Sequence, residues 1–131
     1  MARKRTELLT DVELELMKAL WAIRSGNVRD ITAAMSDGTN RAYTSVATIM
    51  KILTKKGYVT AEQKERVLVF QPAIAKSDYE GRSLRNLSDS LFGGTPTALV
   101  ARLVDDGELT DDMIREIKQI IDTRIKEDDS T

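Results

Sequence analysis

The clearest pattern in the chain lies between Tyr43 and Gly57. Val46, Ile49, Met50 and Leu53 recur there at i, i+3, i+4 and i+7, which predicts a helix with one apolar face. Gly57, directly after Lys55-Lys56, stops it. At about 100° per residue the opposite face carries Thr44, Thr48, Lys51 and Lys55. Upstream, Leu14, Met17 and Trp21, flanked by Leu16, Leu20 and Ile23, predict a helix from about Asp11 to Arg24, with Trp21 as a core anchor. Thr10-Asp11-Val12-Glu13 opens it as a capping box and Ser25-Gly26 closes it. Asn27-Val28-Arg29-Asp30 repeats the capping pattern ahead of a short helix from Val28 to Met35, with Ile31 and Met35 inward. Ser36 to Asn40 is a turn cluster.

After Gly57 the period changes. Tyr58 to Glu62 and Val67 to Gln71 favour strand, and the polar stretch Gln63-Lys64-Glu65-Arg66 between them is short enough for a hairpin turn. Pro72 closes the sheet. The helical period then returns three times. Ser77-Asp78-Tyr79-Glu80 reads as a capping box ahead of Leu84, Leu87 and Leu91. Phe92-Gly93-Gly94 breaks the chain, and Thr95-Pro96 opens a helix with Leu99, Val100, Leu103 and Val104 on one side, stopped by Gly107. Thr110-Asp111-Asp112 opens the last helix with acids at the positive end of its dipole. Met113, Ile114, Ile117, Ile120, Ile121 and Ile125 form its broad apolar face, and Glu127 to Thr131 is an acidic, frayed tail.

Two short helices joined by a turn, the second basic on its outer face, form a helix-turn-helix, and a hairpin directly behind gives its winged form. The predicted fold class is therefore mainly α with a small β-hairpin wing. Residues 1–75 form a winged helix-turn-helix DNA-binding domain, and residues 76–131 a C-terminal three-helix dimerisation domain. The three C-terminal helices carry more aliphatic surface than they can cover among themselves. They bury it either against the same helices of a second chain or back on their own winged domain; two-fold pairing is the preferred reading, because two-fold DNA sites are read by two-fold proteins. The side chains assigned to that interface are Leu84, Leu87, Leu91, Leu99, Leu103, Ile114, Ile117 and Ile121.

Composition narrows the chemistry. The 131 residues contain neither cysteine nor histidine, so disulfides, thiolate or imidazole metal sites and Ser–His or Cys–His nucleophiles are excluded. No cofactor, no metal and no enzymatic activity is expected. No run of 18 apolar residues is present to span a membrane, and the basic start Met1-Ala2-Arg3-Lys4-Arg5 leads into polar sequence; the expected location is the cytoplasm, without membrane insertion. The net charge of −1 hides an asymmetry. Residues 105–131 hold ten acids and four bases, whereas residues 1–104 hold eleven acids and sixteen bases. A polyanion partner thus suits the first part. No acid occurs from Thr39 to Ala61, while Arg41, Lys51, Lys55 and Lys56 all do. Hydroxyls on such a helix meet base edges or phosphates and lysines neutralise phosphates; the plainer reading is an amphipathic helix with a solvated basic face. The residues assigned to double-stranded DNA are Arg41, Tyr43, Thr44, Ser45, Thr48, Lys51 and Lys55, with Lys64 and Arg66 at the wing tip.

The stretches Leu9 to Trp21, Tyr43 to Thr48 with Leu53 to Gly57, and Phe92 to Pro96 with Ala98 to Val100 resemble the penicillinase and methicillin-resistance repressors. The resemblance runs from about Leu8 to Ile125 and keeps all three motifs in order. It implies a winged-helix homodimeric repressor whose C-terminal helices interlock between subunits. In the β-lactam branch a membrane-bound sensor metalloprotease relieves repression by cutting the helix after the Gly-Gly turn, and the matching bond here is Arg102–Leu103. This chain departs from the asparagine-phenylalanine typical of that branch. It also lacks the C-terminal Cys-x-Cys hook of a copper-sensing branch. The expected function is a dimeric repressor of a palindromic operator, released by cleavage or destabilisation of its dimerisation domain. Control by a small ligand at the dimer interface, or a winged helix used as a protein-interaction module without DNA, stays open from sequence.

Overall fold

The structure, a computed structural model, describes residues 8–35 and 42–129. Its element order is α1 (Asp11–Ile23), α2 (Val28–Ala34), α3 (Tyr43–Lys56), β1 (Val59–Lys64), β2 (Val67–Pro72), α4 (Lys76–Leu91), α5 (Pro96–Asp105) and α6 (Asp111–Asp129). The predicted class, mainly helical with one hairpin, is the observed one. The predicted turn from Ser36 to Asn40 lies outside the described residues. The chain divides into two compact units, residues 1–83 and 84–131, so the division falls inside α4 and not ahead of it.

In the first unit, Leu16, Met17 and Leu20 of α1 meet Ile31 of α2 and Val46, Met50 and Leu53 of α3, all fully buried. Ile49 packs half-buried against this core. The predicted caps are present. Thr10 Oγ1 accepts the Glu13 N–H at 3.2 Å, and Glu13 Oε1 accepts the Thr10 N–H at 2.9 Å. Asn27 and Asp30 exchange the same pair of bonds at the start of α2. Gly57 takes a left-handed φ of 87° at the C-cap of α3. Its N–H and that of Tyr58 reach back to Thr54 and Leu53, so the chain turns straight into the hairpin.

Several boundaries differ from expectation. Arg24, with φ 73°, ends α1 in place of Ser25-Gly26. Gly26 serves a different purpose, pairing with Phe70 of β2 through backbone bonds of 3.1 and 2.8 Å. A Cβ there would lie 2.8 Å from Asp30 Cβ and 2.9 Å from Ile23 Cδ1, so only glycine lets the α1–α2 loop reach the hairpin. The strands run to Lys64 and restart at Val67, which shortens the expected four-residue turn to Glu65-Arg66. Helix α4 begins at Lys76, so Ser77 lies within its first turn and does not cap it. Its register is set by Tyr79, buried against Tyr58 and Trp21 with ring centroids 6.0 Å from each. The Tyr79 hydroxyl accepts the Leu9 N–H at 2.9 Å. Trp21 is half-buried, and its indole N–H donates to the Ile74 carbonyl at 2.9 Å.

The second unit has a different character. Pro96 opens α5, and Thr110 Oγ1 caps α6 by accepting the Met113 N–H. Thr95 precedes α5 without a side-chain capping bond, and α6 stays helical through Asp129, three residues into the tail expected to fray. Among its described residues only Ser88 is buried; no apolar side chain is.

Candidate nucleic-acid interface

Helix α3 presents three stripes. Val46, Met50 and Leu53 are sealed in the core. Tyr43, Ala47 and Lys51, at i, i+4 and i+8, line a cleft of about 600 Å³ between α3 and the hairpin. Thr44, Thr48 and Lys55 occupy the adjoining exposed stripe, with Ser45 and Ile52 beside it. The sequence pattern placed Lys51 with Thr44, Thr48 and Lys55; the structure assigns it to the hairpin side. Every described α3 residue assigned to DNA is exposed, whereas Arg41 lies outside the described residues.

The outer hydroxyls are not equivalent. Thr48 Oγ1 donates to the Thr44 carbonyl at 2.9 Å, the back-bond common for hydroxyls inside helices. Its single proton is thereby used, and what it offers outward is a lone pair and a methyl group. Ile52, 42% exposed on the same side, falls outside the apolar stripe of Val46, Ile49, Met50 and Leu53 and was given no role from sequence.

The two lysines ending α3 also diverge. Lys55 is exposed, but Lys56 is half-buried, with its Nζ 2.7 Å from Glu13 Oε2. Burial pushes the Glu13 carboxyl up. The hydrogen bond and charge of Lys56, with the bonds from Thr10, outweigh that effect and hold it below the ordinary glutamate range. Lys56 is therefore structural and Lys55 is available to a ligand.

Cations from the hairpin and from α2 complete the surface. Lys64 and Arg66 are both exposed, but only Arg66 lines the cleft; strand alternation puts Gln63 on that side and Lys64 on the other. Arg29, in the first turn of α2, lines the cleft as well. It was missed because its segment was read only for its cap. No acidic residue lines the cleft among the described residues.

A winged helix with such a face matches a known group. Residues 9–123 match the family described as Penicillinase repressor. The chain belongs to the penicillinase repressor family. The family is one of transcriptional repressors and not of enzymes. The penicillinase repressor of Bacillus licheniformis is 27% identical over 119 residues, covering 91% of this chain and 93% of the relative. The methicillin resistance regulatory protein MecI of Staphylococcus aureus is 19% identical over 120 residues, covering 92% and 98%. Among solved structures, that of the DNA binding domain of the repressor BlaI matches at 32% identity with a TM-score of 0.50, over 58% of this chain and 93% of that one. Within this penicillinase repressor family chain the motifs at Leu9 to Trp21, Tyr43 to Gly57 and Phe92 to Val100 all fall inside the matched residues.

Arg102 and Leu103, the residues flanking the bond suggested by the resemblance, lie inside α5. Arg102 pairs loosely with Asp106 at 3.8 Å, and Leu103 is 45% exposed in the single chain. The side chains assigned to dimerisation are likewise uncovered: Leu84, Leu87, Leu91, Leu103, Ile114 and Ile121 are exposed, and Leu99 and Ile117 half-exposed. Among the described residues no cluster of His, Cys, Asp or Glu is arranged to hold a metal, and no helix is long and apolar enough to cross a membrane.

Proposed function

We propose that this chain is a cytoplasmic DNA-binding transcriptional repressor that binds a palindromic operator as a homodimer. The observation that carries the reading is the exposed outer stripe of α3, hydroxyls and Lys55 without an acid, next to a cleft lined by Lys51 and Arg66. Its likeness to the DNA binding domain of BlaI supports the same reading. In it, α3 enters the major groove. Thr44, Ser45 and Thr48 read bases, Lys51, Lys55 and Arg41 hold phosphate, Tyr43 contacts the backbone flank, and Lys64 and Arg66 of the wing reach the neighbouring strand. The uncovered aliphatic surface of α4–α6 supports pairing with a second copy. The domain scheme of a DNA-binding part and a dimerisation part follows from that division of labour.

Release then acts on the pair and not on the recognition helix. A membrane-bound sensor metalloprotease that cuts Arg102–Leu103 would detach α6 from the rest of the chain. Because the bond is within a helix, cutting requires local opening of α5. Titration of duplex DNA at increasing salt tests the primary reading: log affinity should fall linearly with log salt, steeply enough for several phosphate contacts per subunit. Absence of duplex binding at low salt would leave a protein-interaction module in its place.

A further inference from the structure

We propose that Arg29 is a DNA-backbone contact, and that with Lys51 and Arg66 it makes the cleft between α3 and the hairpin a cradle for phosphate. The inference rests on the DNA-binding reading and deepens it. Three cations enter one cleft from three elements, α2, α3 and the hairpin turn. All three are exposed and none has a carboxylate partner among the described residues. The cleft floor is apolar, with Val28 and Phe70 buried and Ala47 half-buried, so charge held above it is poorly screened on one side.

Arg29 also contradicts its local setting. A cation in the first turn of a helix faces the positive end of the helix dipole, where acids are favoured. Departures from local preference without a structural return concentrate at functional sites. Arg66 sits at φ 72° beside Glu65 at φ 45° in the two-residue hairpin turn, which brings its cation to the same cleft. An anion held in the cleft would answer the cation at the start of α2. Geometry names the anion: where one element fills a groove of duplex DNA and its neighbour reaches across to the next, the ridge between is a phosphate backbone.

The experiment uses the full chain, an operator duplex located by footprinting, a scrambled duplex of equal length, and a salt titration of each. Arg29→Ala should weaken both duplexes by the same factor and lower the salt slope by about one unit. Arg29→Lys should keep most of the slope. Arg85→Ala, an exposed arginine of α4 in the other unit, should match the parent chain. The melting temperature of Arg29→Ala should be unchanged or slightly raised, because a cation leaves the helix start. A parental slope in Arg29→Ala on both duplexes would overturn the proposal, as would a changed preference between duplexes at constant slope, which would make Arg29 a base reader. Inorganic phosphate at constant ionic strength that binds the free chain and fails to bind Arg29→Ala, while the duplex salt slope of Arg29→Ala stays parental, would assign the cleft to a small anion and overturn it too. Failure of the parent chain to bind duplex at all would defeat the DNA-binding reading itself, a separate result.

Discussion

Lys56 Nζ lies 2.7 Å from Glu13 Oε2, joining the last turn of α3 to the first turn of α1. Glu13 thus serves two ends at once: Oε1 closes the capping box on Thr10, and Oε2 holds Lys56. The pair ties the C-terminal end of α3 to the N-terminal end of α1, beside the core contacts of Val46, Met50 and Leu53.

That arrangement gives the protein an acid-sensitive increment of stability. The folded-state pKa of Glu13 is lowered, so its contribution is fully present above the ordinary glutamate value of about 4.3 and is lost as pH falls through the lower, folded value. Glu13→Gln should cost on the order of 1–3 kcal/mol near neutrality, since a largely buried, charge-assisted bond is lost and Lys56 is left without its carboxylate partner. Urea denaturation of both chains between pH 7 and pH 3 checks it. The difference should hold down to about pH 5 and then shrink. A difference independent of pH would place the loss in packing and not in the carboxylate.

The back-bonded hydroxyl of Thr48 makes a sharper prediction than its exposure alone. With its proton engaged by Thr44, it can accept from an amino group of adenine or cytosine, or lay its methyl on thymine. Thr48→Ala should weaken cognate duplex by about 1–3 kcal/mol and leave scrambled duplex nearly unaffected. Thr48→Val keeps the methyl and removes the acceptor, so it separates the two modes. Lys55→Ala should instead weaken all sequences alike and reduce the salt slope by about one. Equal losses from Thr48→Ala on both duplexes would remove it from base reading.

The wing tip sets function against stability. Glu65 and Arg66, at φ 45° and 72°, occupy a two-residue turn in which both positions favour glycine or asparagine. Arg66→Gly should relieve roughly 1 kcal/mol of left-handed strain. It should also lower DNA affinity at all sequences, because a cation leaves the cleft. Thermal melting and duplex titration of the same variant read both effects. A variant that gained stability and kept its affinity and salt slope would show the arginine to be incidental.

How much of this was legible in the sequence depends on what fixed each feature. Helix α3 was readable to the residue, because its stripe, its basic end and Gly57 all point to one answer. The hairpin was readable as a hairpin, but its tight turn was not: Glu65-Arg66 lacks the glycine that normally marks one. Gly26 read as a helix stop because its partner, Phe70, is 44 positions away. Distance in sequence also hid the Glu13–Lys56 pair and the cleft, whose residues come from α2, α3 and the hairpin. The start of α4 was misread because Tyr79, through its ring contacts, outweighed the local capping signal at Ser77.

The two units differ in how much apolar surface they cover. Among the described residues the first seals fourteen apolar side chains, all before residue 80, whereas residues 84–129 bury none and leave Leu91 at 69% and Ile121 at 49% exposure. A surface of that kind is stable in water when a like surface covers it. Ile121→Glu would set a charge in the covered patch, at a cost of several kcal/mol to pairing and little to the first unit. Sedimentation should show monomer. Operator binding should weaken steeply, because two tethered heads gain from effective concentration and a single head does not. A chain ending at Arg102 should behave the same way, since it lacks Ile114, Ile117 and Ile121 while keeping α3 and the hairpin. Its affinity for a single half-site should equal that of the full chain, which locates the loss in pairing. If the shortened chain stayed a tight dimer, cutting Arg102–Leu103 could not release the operator, and a ligand acting at the interface would take its place.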